Sequence, residues 1–355
     1  MPVLTRPVFA VSLSHLAHNY KTLRRVSVGR AAAVVKTDAY GLGAVPVVRR
    51  LVQEGCDAFF VAHAMEGAEI RSVAPDADIY VLQGIGEDSA ELFWKHHLTP
   101  VIAGPEMLAL WNGLNIEGIK PIIQVETGLN RLGFRSSDIP TLLSAGVGRF
   151  SYVLSHLACA DDQAHFMNIR QKQVFETVRQ MLELPATLSA SDGVFLGNGY
   201  HYDMVRLGAA MYGLNTVKGV TISALKPVVS ICAPVLQIAQ VPQGDYVGYG
   251  ATFKAEQPTK IAVVSVGYGD GLMRSLSNRG RVRINGQSAP IIGRISMDNL
   301  MCDITHIKDV KLGDMAYILD DVYRADDMAK DAGTIGYEIL STLGKGKRFL
   351  KCYED

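Results

Sequence analysis

The clearest candidate for chemistry is a lysine that follows an apolar run. Lys36 comes directly after Ala31–Val35 and is followed by Tyr40, Gly41 and Gly43. An amine leaving a buried strand is partly removed from water, which lowers the pKa of a lysine and makes its neutral, nucleophilic form available. The spacing alone leaves two interpretations open: an activated amine, or a solvated lysine just past a strand end.

Further polar side chains lie at or just after apolar runs of the same kind. They are Arg131, His156, Ser191 and Arg206. The C-terminal ends of parallel strands meet at one edge of a barrel, and the active sites of such folds are built there. The pattern therefore predicts that these side chains share one site with Lys36. Taken singly, each would be explained as an ordinary surface or core polar group.

The runs between residues 31 and 208 predict the scaffold that positions these residues. Short apolar runs rich in Val, Ile and Ala alternate with amphipathic stretches, as in a parallel sheet buried on both faces. The runs are 31–36, 58–62, 79–82, 98–102, 121–125, 151–155, 186–190 and 204–208. Helical patterns separate them, for example between Gln163 and Leu184. Eight runs favour an α/β fold of the (β/α)8 TIM-like barrel type over a doubly wound sheet, the alternative.

From about residue 220 the pattern becomes mostly β. Apolar or alternating runs such as PVVSICAPVLQIAQV and KIAVVSVGYGDG are separated by Gly, Pro and Asn-Gly. Asn285-Gly286 between two such runs predicts a hairpin. We therefore expect two domains, a barrel over residues 1–220 and a C-terminal β domain over residues 221–355.

Composition narrows the class of protein. Lys plus Arg and Asp plus Glu both number 35 in 355 residues, so the zero net charge predicts no nucleic-acid or anionic-membrane partner. No apolar stretch reaches spanning length, and the N-terminal run does not have the pattern of a signal peptide. The five cysteines are scattered and form no C-x-x-C pair, which predicts no structural metal site and a cytoplasmic location.

The run AAVVKTDAYGLG around Lys36 resembles the signature of the alanine racemase family. Similar motifs follow in order: ETGLNRLGF, LSHLACAD, MVRLGAAMYG, VGYGDG and GRISMDNLM. The resemblance extends over nearly the whole chain, from RPVFAVSLSHLAHNY to YEILSTLG. It implies a pyridoxal 5'-phosphate enzyme with a barrel and a β domain, whose active sites are shared across a head-to-tail homodimer.

The resemblance assigns catalytic roles. Racemisation removes a proton from one face of Cα and returns one to the other, so two groups must flank it. Lys36, which would form the Schiff base with the cofactor, serves one face, and Tyr268 of the partner subunit serves the other. Arg206 would face the pyridine nitrogen and can only donate to it, which favours racemisation over decarboxylation. His156 would bridge Tyr268 and Arg206 and assist ionisation of the phenol.

The resemblance also implies residues that bind the cofactor phosphate and the substrate. The phosphate would be held by Tyr40, Ser191, Gly208 and Ala209. Arg131 would contact the phenolic oxygen of the cofactor and the substrate carboxylate. Met297 and Asp298 would line the substrate site, with the backbone amide of Met297 donating to the carboxylate.

The sequence departs from the family pattern at three places. Gln124 stands where many members carry a carbamylated lysine that fixes the arginine, and a neutral amide would accept only a weaker hydrogen bond from Arg131. The Asn-Ser pair of the family is matched by Ser191-Asp192, so either Ser191 binds the phosphate or Asp192 turns away from it. The C-terminal gating tyrosine has no clear match, and Leu343 lies near its place.

The predicted activity is interconversion of L- and D-alanine, which would supply D-alanine for cell-wall peptidoglycan. Lys36 would take the proton from D-alanine and Tyr268 from L-alanine. The alternatives are a racemase that prefers serine or has a broader range, a pyridoxal phosphate-binding homeostasis protein, and a decarboxylase of the same fold. The β region with Tyr268 argues against the binding protein, and Arg206 argues against the decarboxylase.

Overall fold

The structure, a computed structural model, describes residues 6–114, 116–219 and 222–355. Its contacts divide the chain into two compact units. One contains residues 16–39 and 43–226, and the other contains the described residues up to 15 together with 40–42 and 227–355. The predicted domain boundary between residues 220 and 221 lies outside the described residues.

The first unit is a ring of parallel strands. The strands are Arg30–Val34, Ala58–Val61, Asp78–Val81, Leu98–Ile102, Ile122–Gln124, Tyr152–Leu154, Ala186–Thr187 and Met204–Leu207. The first seven strands pair in chain order, and the eighth pairs with the first. A bridge between Ala190 and Arg206, with the Arg206 N–H donating to the Ser189 carbonyl at 2.9 Å, joins the seventh strand to the eighth. The predicted barrel is confirmed.

Helices cover the outside of this ring. They are Leu13–Val26, Ala44–Gln53, Ala64–Arg71, Ala90–Lys95, Pro105–Gly113, Ile139–Ser144 and Phe166–Leu182. The last begins after His165, whose ring accepts the Met167 N–H, and ends where Glu183 adopts a left-handed conformation with φ of 52°. Because the strands are buried on both faces, each predicted apolar run corresponds to one strand.

The second unit is mostly β, as predicted. The main sheet contains, in spatial order, Gln287–Pro290, Arg281–Ile284, Met315–Leu319, Val229–Val241, Val8–Ser12 and Leu350–Glu354. The long strand Val229–Val241 also pairs with Thr259–Val264, which pairs with Leu300–Asp303. Tyr246–Val247 and Phe253–Lys254 form a separate pair. The helices of this unit are Ala325–Ala332 and Gly336–Leu343.

One local feature of the second unit was predicted from the sequence and another was not. The hairpin at Asn285-Gly286 is confirmed: both residues have positive φ, 48° and 74°, and Ile284 pairs directly with Gln287. The strand Val8–Ser12 precedes the barrel in the chain but pairs with Val229–Val241 and Leu350–Glu354. Among the described residues, no helix is long and apolar enough to cross a membrane.

Candidate active site

Lys36 begins a turn with an unusual backbone. After the first barrel strand ends at Val34, residues Thr37 to Tyr40 all have φ between 52° and 58°. This left-handed conformation costs about 1–2 kcal/mol per non-glycine residue, and it persists where the surroundings hold it in place. Here the Thr37 N–H donates to the Glu66 carboxylate at 2.6 Å, and the Gly43 N–H donates to the Asp38 carbonyl at 2.9 Å. The turn therefore fixes the direction in which Lys36 leaves the strand.

The surroundings of Lys36 favour a neutral amine. Burial lowers the pKa of Lys36 below its ordinary value, and the positive charges of Arg131 and Arg206 lower it further. The Glu66 carboxylate acts in the opposite direction on the pKa. A lysine held in this way is a competent nucleophile and base, because less free energy is needed to remove its proton.

Arg206 is a charged group buried among neutral partners. Its guanidinium is 4% exposed. Its Nη atoms donate to the Thr187 hydroxyl at 2.7 Å and to the Ser155 and Leu188 carbonyls at 2.7 and 3.0 Å. Burial lowers the pKa of Arg206 to about 9, so it stays charged at neutral pH. Within the described chain no carboxylate pairs with it, and the site is therefore suited to an anionic or electron-rich ligand.

His156 lies beside Arg206. The two side chains approach at 3.3 Å between Arg206 Nη2 and His156 Nδ1. Burial lowers the pKa of His156 to about 3, and the positive Arg206, Arg131 and Lys36 contribute in the same direction. The imidazole is therefore neutral. Because a guanidinium only donates, Nδ1 accepts and the proton is assigned to Nε2, which can donate to a further group.

The loop that carries Arg131 is fixed by carboxylate and amide groups. Glu126 accepts the Gly128 N–H and, at 3.2 Å, the Arg131 N–H. Partial burial raises the pKa of Glu126, but the backbone N–H groups of residues 128–131 outweigh it and lower the pKa. Gln124 donates to the Leu132 carbonyl at 2.9 Å. This amide therefore holds the loop backbone, whereas the sequence suggested an acceptor for the Arg131 side chain.

Ser191 lies at a close approach to the backbone that follows Arg206. Its Oγ accepts the Gly208 N–H at 2.8 Å and the Ala210 N–H at 3.4 Å. The Ser191 hydroxyl proton is thereby left free to be donated. Asp192 interacts with Thr216 and Asp161, and burial raises the pKa of its carboxyl to about 6. Ala209 begins the short 3-10 turn Ala209–Tyr212 at the same place.

The other predicted site residues belong to the second unit. Tyr268 begins the turn Tyr268–Asp270, and its N–H donates to the Ser296 carbonyl at 3.0 Å, which places it beside the loop of Met297 and Asp298. Gly267 is required here, because a Cβ on it would lie 2.4 Å from the Met297 carbonyl oxygen. Tyr268 is 43% exposed and Met297 is 55% exposed. The Tyr268 and Met297 side chains are thus partly open to solvent on their own chain.

Arg348 was not found from the sequence, and it holds this second cluster together. Its guanidinium pairs with the buried Asp270 at 2.7 and 2.9 Å, with the Met297 carbonyl at 3.0 Å, and with Asp298. The basic run KGKR that contains Arg348 resembles an ordinary solvated surface. The one signal in the sequence was Asp270 in YGDG, an acidic residue that needs a cation if it is buried. Asp298, predicted to line the substrate site, forms an ion pair with Arg348.

Tyr40 belongs by its contacts to the second unit. Its ring lies 6.1 Å from the ring of Tyr337, between centroids. Lys351 donates to the Gly41 carbonyl at 2.8 Å and Tyr353 to the Leu42 carbonyl at 3.0 Å, so the segment after Tyr40 is fixed by the C-terminal strand. Leu343 is fully buried. Tyr337 is therefore the C-terminal tyrosine whose ring lies beside Tyr40. The sequence did not indicate it, because nothing local shows that these two segments meet.

The fold and the barrel site define a class. A TIM-like barrel that presents a lysine of lowered pKa, a buried guanidinium and a neutral histidine at its strand ends is an enzyme scaffold with an amine nucleophile in a positively charged pocket.

Comparisons with known proteins identify the family. The family model "Alanine racemase, N-terminal domain" matches residues 11–216, and "Alanine racemase, C-terminal domain" matches residues 228–352. The chain is 39% identical to the alanine racemase of Rhizobium meliloti over 94% of each protein. It is 38% identical to the catabolic alanine racemase of Agrobacterium fabrum, over 97% of this chain and 91% of that protein.

Solved structures agree with this assignment. The alanine racemase of Bartonella henselae, solved with covalently bound pyridoxal phosphate, matches with a TM-score of 0.93 at 33% identity, over 99% of this chain and all of that one. The biosynthetic alanine racemase of Pseudomonas aeruginosa matches with a TM-score of 0.93 at 30% identity, over the same shares. The chain belongs to the alanine racemase family.

Proposed function

We propose that this protein interconverts L- and D-alanine with pyridoxal 5'-phosphate as cofactor. The observation that carries the proposal is the group at the barrel mouth: a lysine whose pKa is lowered by burial, near the neutral His156 and the buried, charged Arg206. Full-length similarity to alanine racemases supports alanine as the substrate.

The residues of the barrel suit this cofactor. Arg131 and Arg206 place positive charge beside Lys36, which favours an anionic group. We propose that Ser191 holds the phosphate through its free hydroxyl proton, together with Tyr40 and the backbone at Gly208 and Ala209. The Nη atoms of Arg206 donate to neutral partners, and its Nε would donate to the pyridine nitrogen. Arg131 would contact the phenolic oxygen of the cofactor. When bound, the cofactor supplies an aldehyde for the lysine amine and a ring that withdraws electrons from Cα.

The proton transfers follow from the two candidate bases. Lys36 would take the proton from D-alanine, because burial and the positive neighbours of its amine lower its pKa. Tyr268 of a second copy would take the proton from L-alanine on the opposite face. His156, with its proton on Nε2, would donate to the phenol oxygen and stabilise its ionised form, while Arg206 fixes the imidazole. Met297 would bind the substrate carboxylate through its amide, and Asp298 would line the pocket.

A homodimer with shared sites accounts for the exposure of the second cluster. Tyr268 and Met297 are large apolar side chains that remain half exposed on their own chain. Such side chains suit an interface with another copy of the chain. The five free cysteines support a reducing, cytoplasmic location.

Mixing two inactive variants tests the shared site. Lys36→Ala and Tyr268→Phe should each be inactive alone. After dissociation and reassociation at equal amounts, half of the dimers combine one of each, and each of these has one intact site of two. About a quarter of the wild-type activity should therefore return. No recovery, with subunit exchange verified by mass, would contradict the shared site.

The substrate and the physiological role need separate tests. Exchange of the Cα hydrogen for deuterium should be fastest with alanine across a panel of D- and L-amino acids. Faster exchange with serine would favour the alternative of a serine-preferring racemase. A deletion strain that requires D-alanine for growth would support a role in peptidoglycan synthesis. A binding protein without activity is disfavoured, because the match includes the C-terminal domain with Tyr268.

A further inference from the structure

Glu66 joins the turn of Lys36 to the neighbouring barrel strand. Its Oε1 accepts the Thr37 N–H at 2.6 Å. Its Oε2 accepts the N–H groups of Ala62 and His63, at 2.6 and 3.2 Å, just after the strand Ala58–Val61. Glu66 lies in the first turn of the helix Ala64–Arg71, so Oε2 caps its own helix while Oε1 reaches the turn that follows the first barrel strand.

The bond to Thr37 is made where the backbone is strained. Thr37 is β-branched and has φ of 56°, a conformation that such residues rarely adopt. A hydrogen bond from a backbone N–H to a carboxylate is stronger than one between neutral groups. The carboxylate therefore stabilises the first residue of the left-handed turn, and with it the exit direction of Lys36.

Glu66 also supplies a negative charge in a positively charged site. The groups that act on Lys36 come from separate elements: Arg131 from the loop after the fifth strand, Arg206 from the eighth strand, and Glu66 from the helix after the second. His156, after the sixth strand, is neutral. Glu66 is thus the opposing charge that keeps the pKa of Lys36 from falling further.

We propose that Glu66 is a positioning residue for Lys36, which holds the Thr37 N–H and balances the charge around the amine. The inference rests on the proposed function, since it takes Lys36 as the base for D-alanine. The Glu66 carboxylate has two roles in this proposal: its hydrogen bond to the Thr37 N–H, here called the tether, and its negative charge. Each role can be removed by a separate substitution.

Two variants separate the tether from the charge. Glu66→Asp keeps the charge and can still cap its helix, but its shorter side chain withdraws from Thr37. In the holoenzyme, hydrogen–deuterium exchange of the Thr37 amide should become at least about tenfold faster. Glu66→Gln removes the charge. The pKa of Lys36 should then fall, and the rising limb of kcat against pH with D-alanine should move to lower pH by about one unit.

Glu69→Gln is the matched control, because Glu69 lies on the same helix with an exposed side chain. It should change neither readout. A smaller fraction of correctly folded enzyme would by itself lower kcat at every pH without moving the rising limb of the pH profile. Unchanged Thr37 exchange in Glu66→Asp, or an unmoved limb in Glu66→Gln, would overturn the proposal. If the wild type failed to racemise alanine, the proposed function would fail instead, while the Thr37 exchange would still decide the tether.

Discussion

The two clusters of predicted site residues, one in each unit, differ in how far their side chains are buried. In the barrel, Arg206 and its partners are buried, and the network around Lys36 and His156 is formed by the chain's own residues. In the second unit, Arg348 and Asp270 order the backbone of the turn, but Tyr268 and Met297 remain exposed. The polar groups of the barrel cluster are held by buried partners, whereas the side chains of the second cluster are exposed.

Lys36 and Tyr268, the two proposed bases, lie in different environments. Burial and positive neighbours lower the pKa of Lys36 within its own unit. Tyr268 lies in the other unit and is half exposed on its own chain. Substitutions in the two halves should therefore have distinct consequences.

The largest effect is expected in the barrel half. Lys36→Ala should reduce racemisation by at least about 10⁴-fold in both directions, because it removes both the amine that bonds to the cofactor and one base. Polarimetry with each enantiomer measures this loss. Lys120→Ala, an exposed lysine of the same unit, is the control. Residual activity within a hundredfold of the wild type would show that another group performs the chemistry.

Tyr268→Phe should break the symmetry between enantiomers. It should slow Cα exchange of L-alanine by about 10³-fold, while exchange of D-alanine, which needs only Lys36, is retained much better. Deuterium incorporation followed by NMR distinguishes the two. Tyr249→Phe, which changes another exposed tyrosine of this unit, should have no effect. Equal losses for both enantiomers would argue against one base for each face.

Arg348→Ala should affect the second half alone. It removes the donor to the Met297 carbonyl and leaves the buried Asp270 without its cation. KM for alanine should rise about tenfold, and the free energy of unfolding should fall by about 1–3 kcal/mol. Lys347→Ala, the exposed neighbour, is the control. A shift in the D-alanine pH limb would contradict the independence of the two halves.

The smallest effect concerns a buried carboxyl in the barrel. The folded-state pKa of Asp192 is raised to about 6 from an ordinary value near 4, so between these values the folded protein binds more protons than the unfolded chain. Its contribution to stability is lost as pH rises through this window. As pH rises from 4 to 7, the free energy of unfolding of Asp192→Asn should therefore increase by about 1–3 kcal/mol relative to that of the wild type. Urea unfolding at several pH values measures it, and a pH-independent difference would refute the assignment. Asp76→Asn, an exposed carboxyl, is the control.

The fold was predictable because its signals are local. Each barrel strand is buried on both faces, so it was visible as an apolar run, and Asn285-Gly286 specified its hairpin through two positive φ angles. The strand Val8–Ser12 was not predictable as part of the second unit, because nothing in a five-residue strand records which distant strand it pairs with.

The site was predictable in part for the same reason. Lys36 and Arg206 stood out by their position after or within apolar runs and by their motifs. Gln124 also has a partner that the sequence did not indicate, since its amide N–H donates to the Leu132 carbonyl of a loop whose path the sequence does not show. Arg348 and Glu66 are charged residues of the kind found on any surface. Only the tertiary structure shows that Arg348 pairs with Asp270 and that Glu66 accepts the Thr37 N–H.

By itself the sequence determined the strand order, the residue types at the strand ends and the motifs of the family, because these depend on local periodicity and chemistry. Tertiary structure decided the charge states and the directions of the side chains. The lowered pKa of Lys36, the neutral ring of His156 and the left-handed turn held by Glu66 all depend on burial and on neighbours from other strands. Such neighbours are distant in the chain and meet only when the barrel closes.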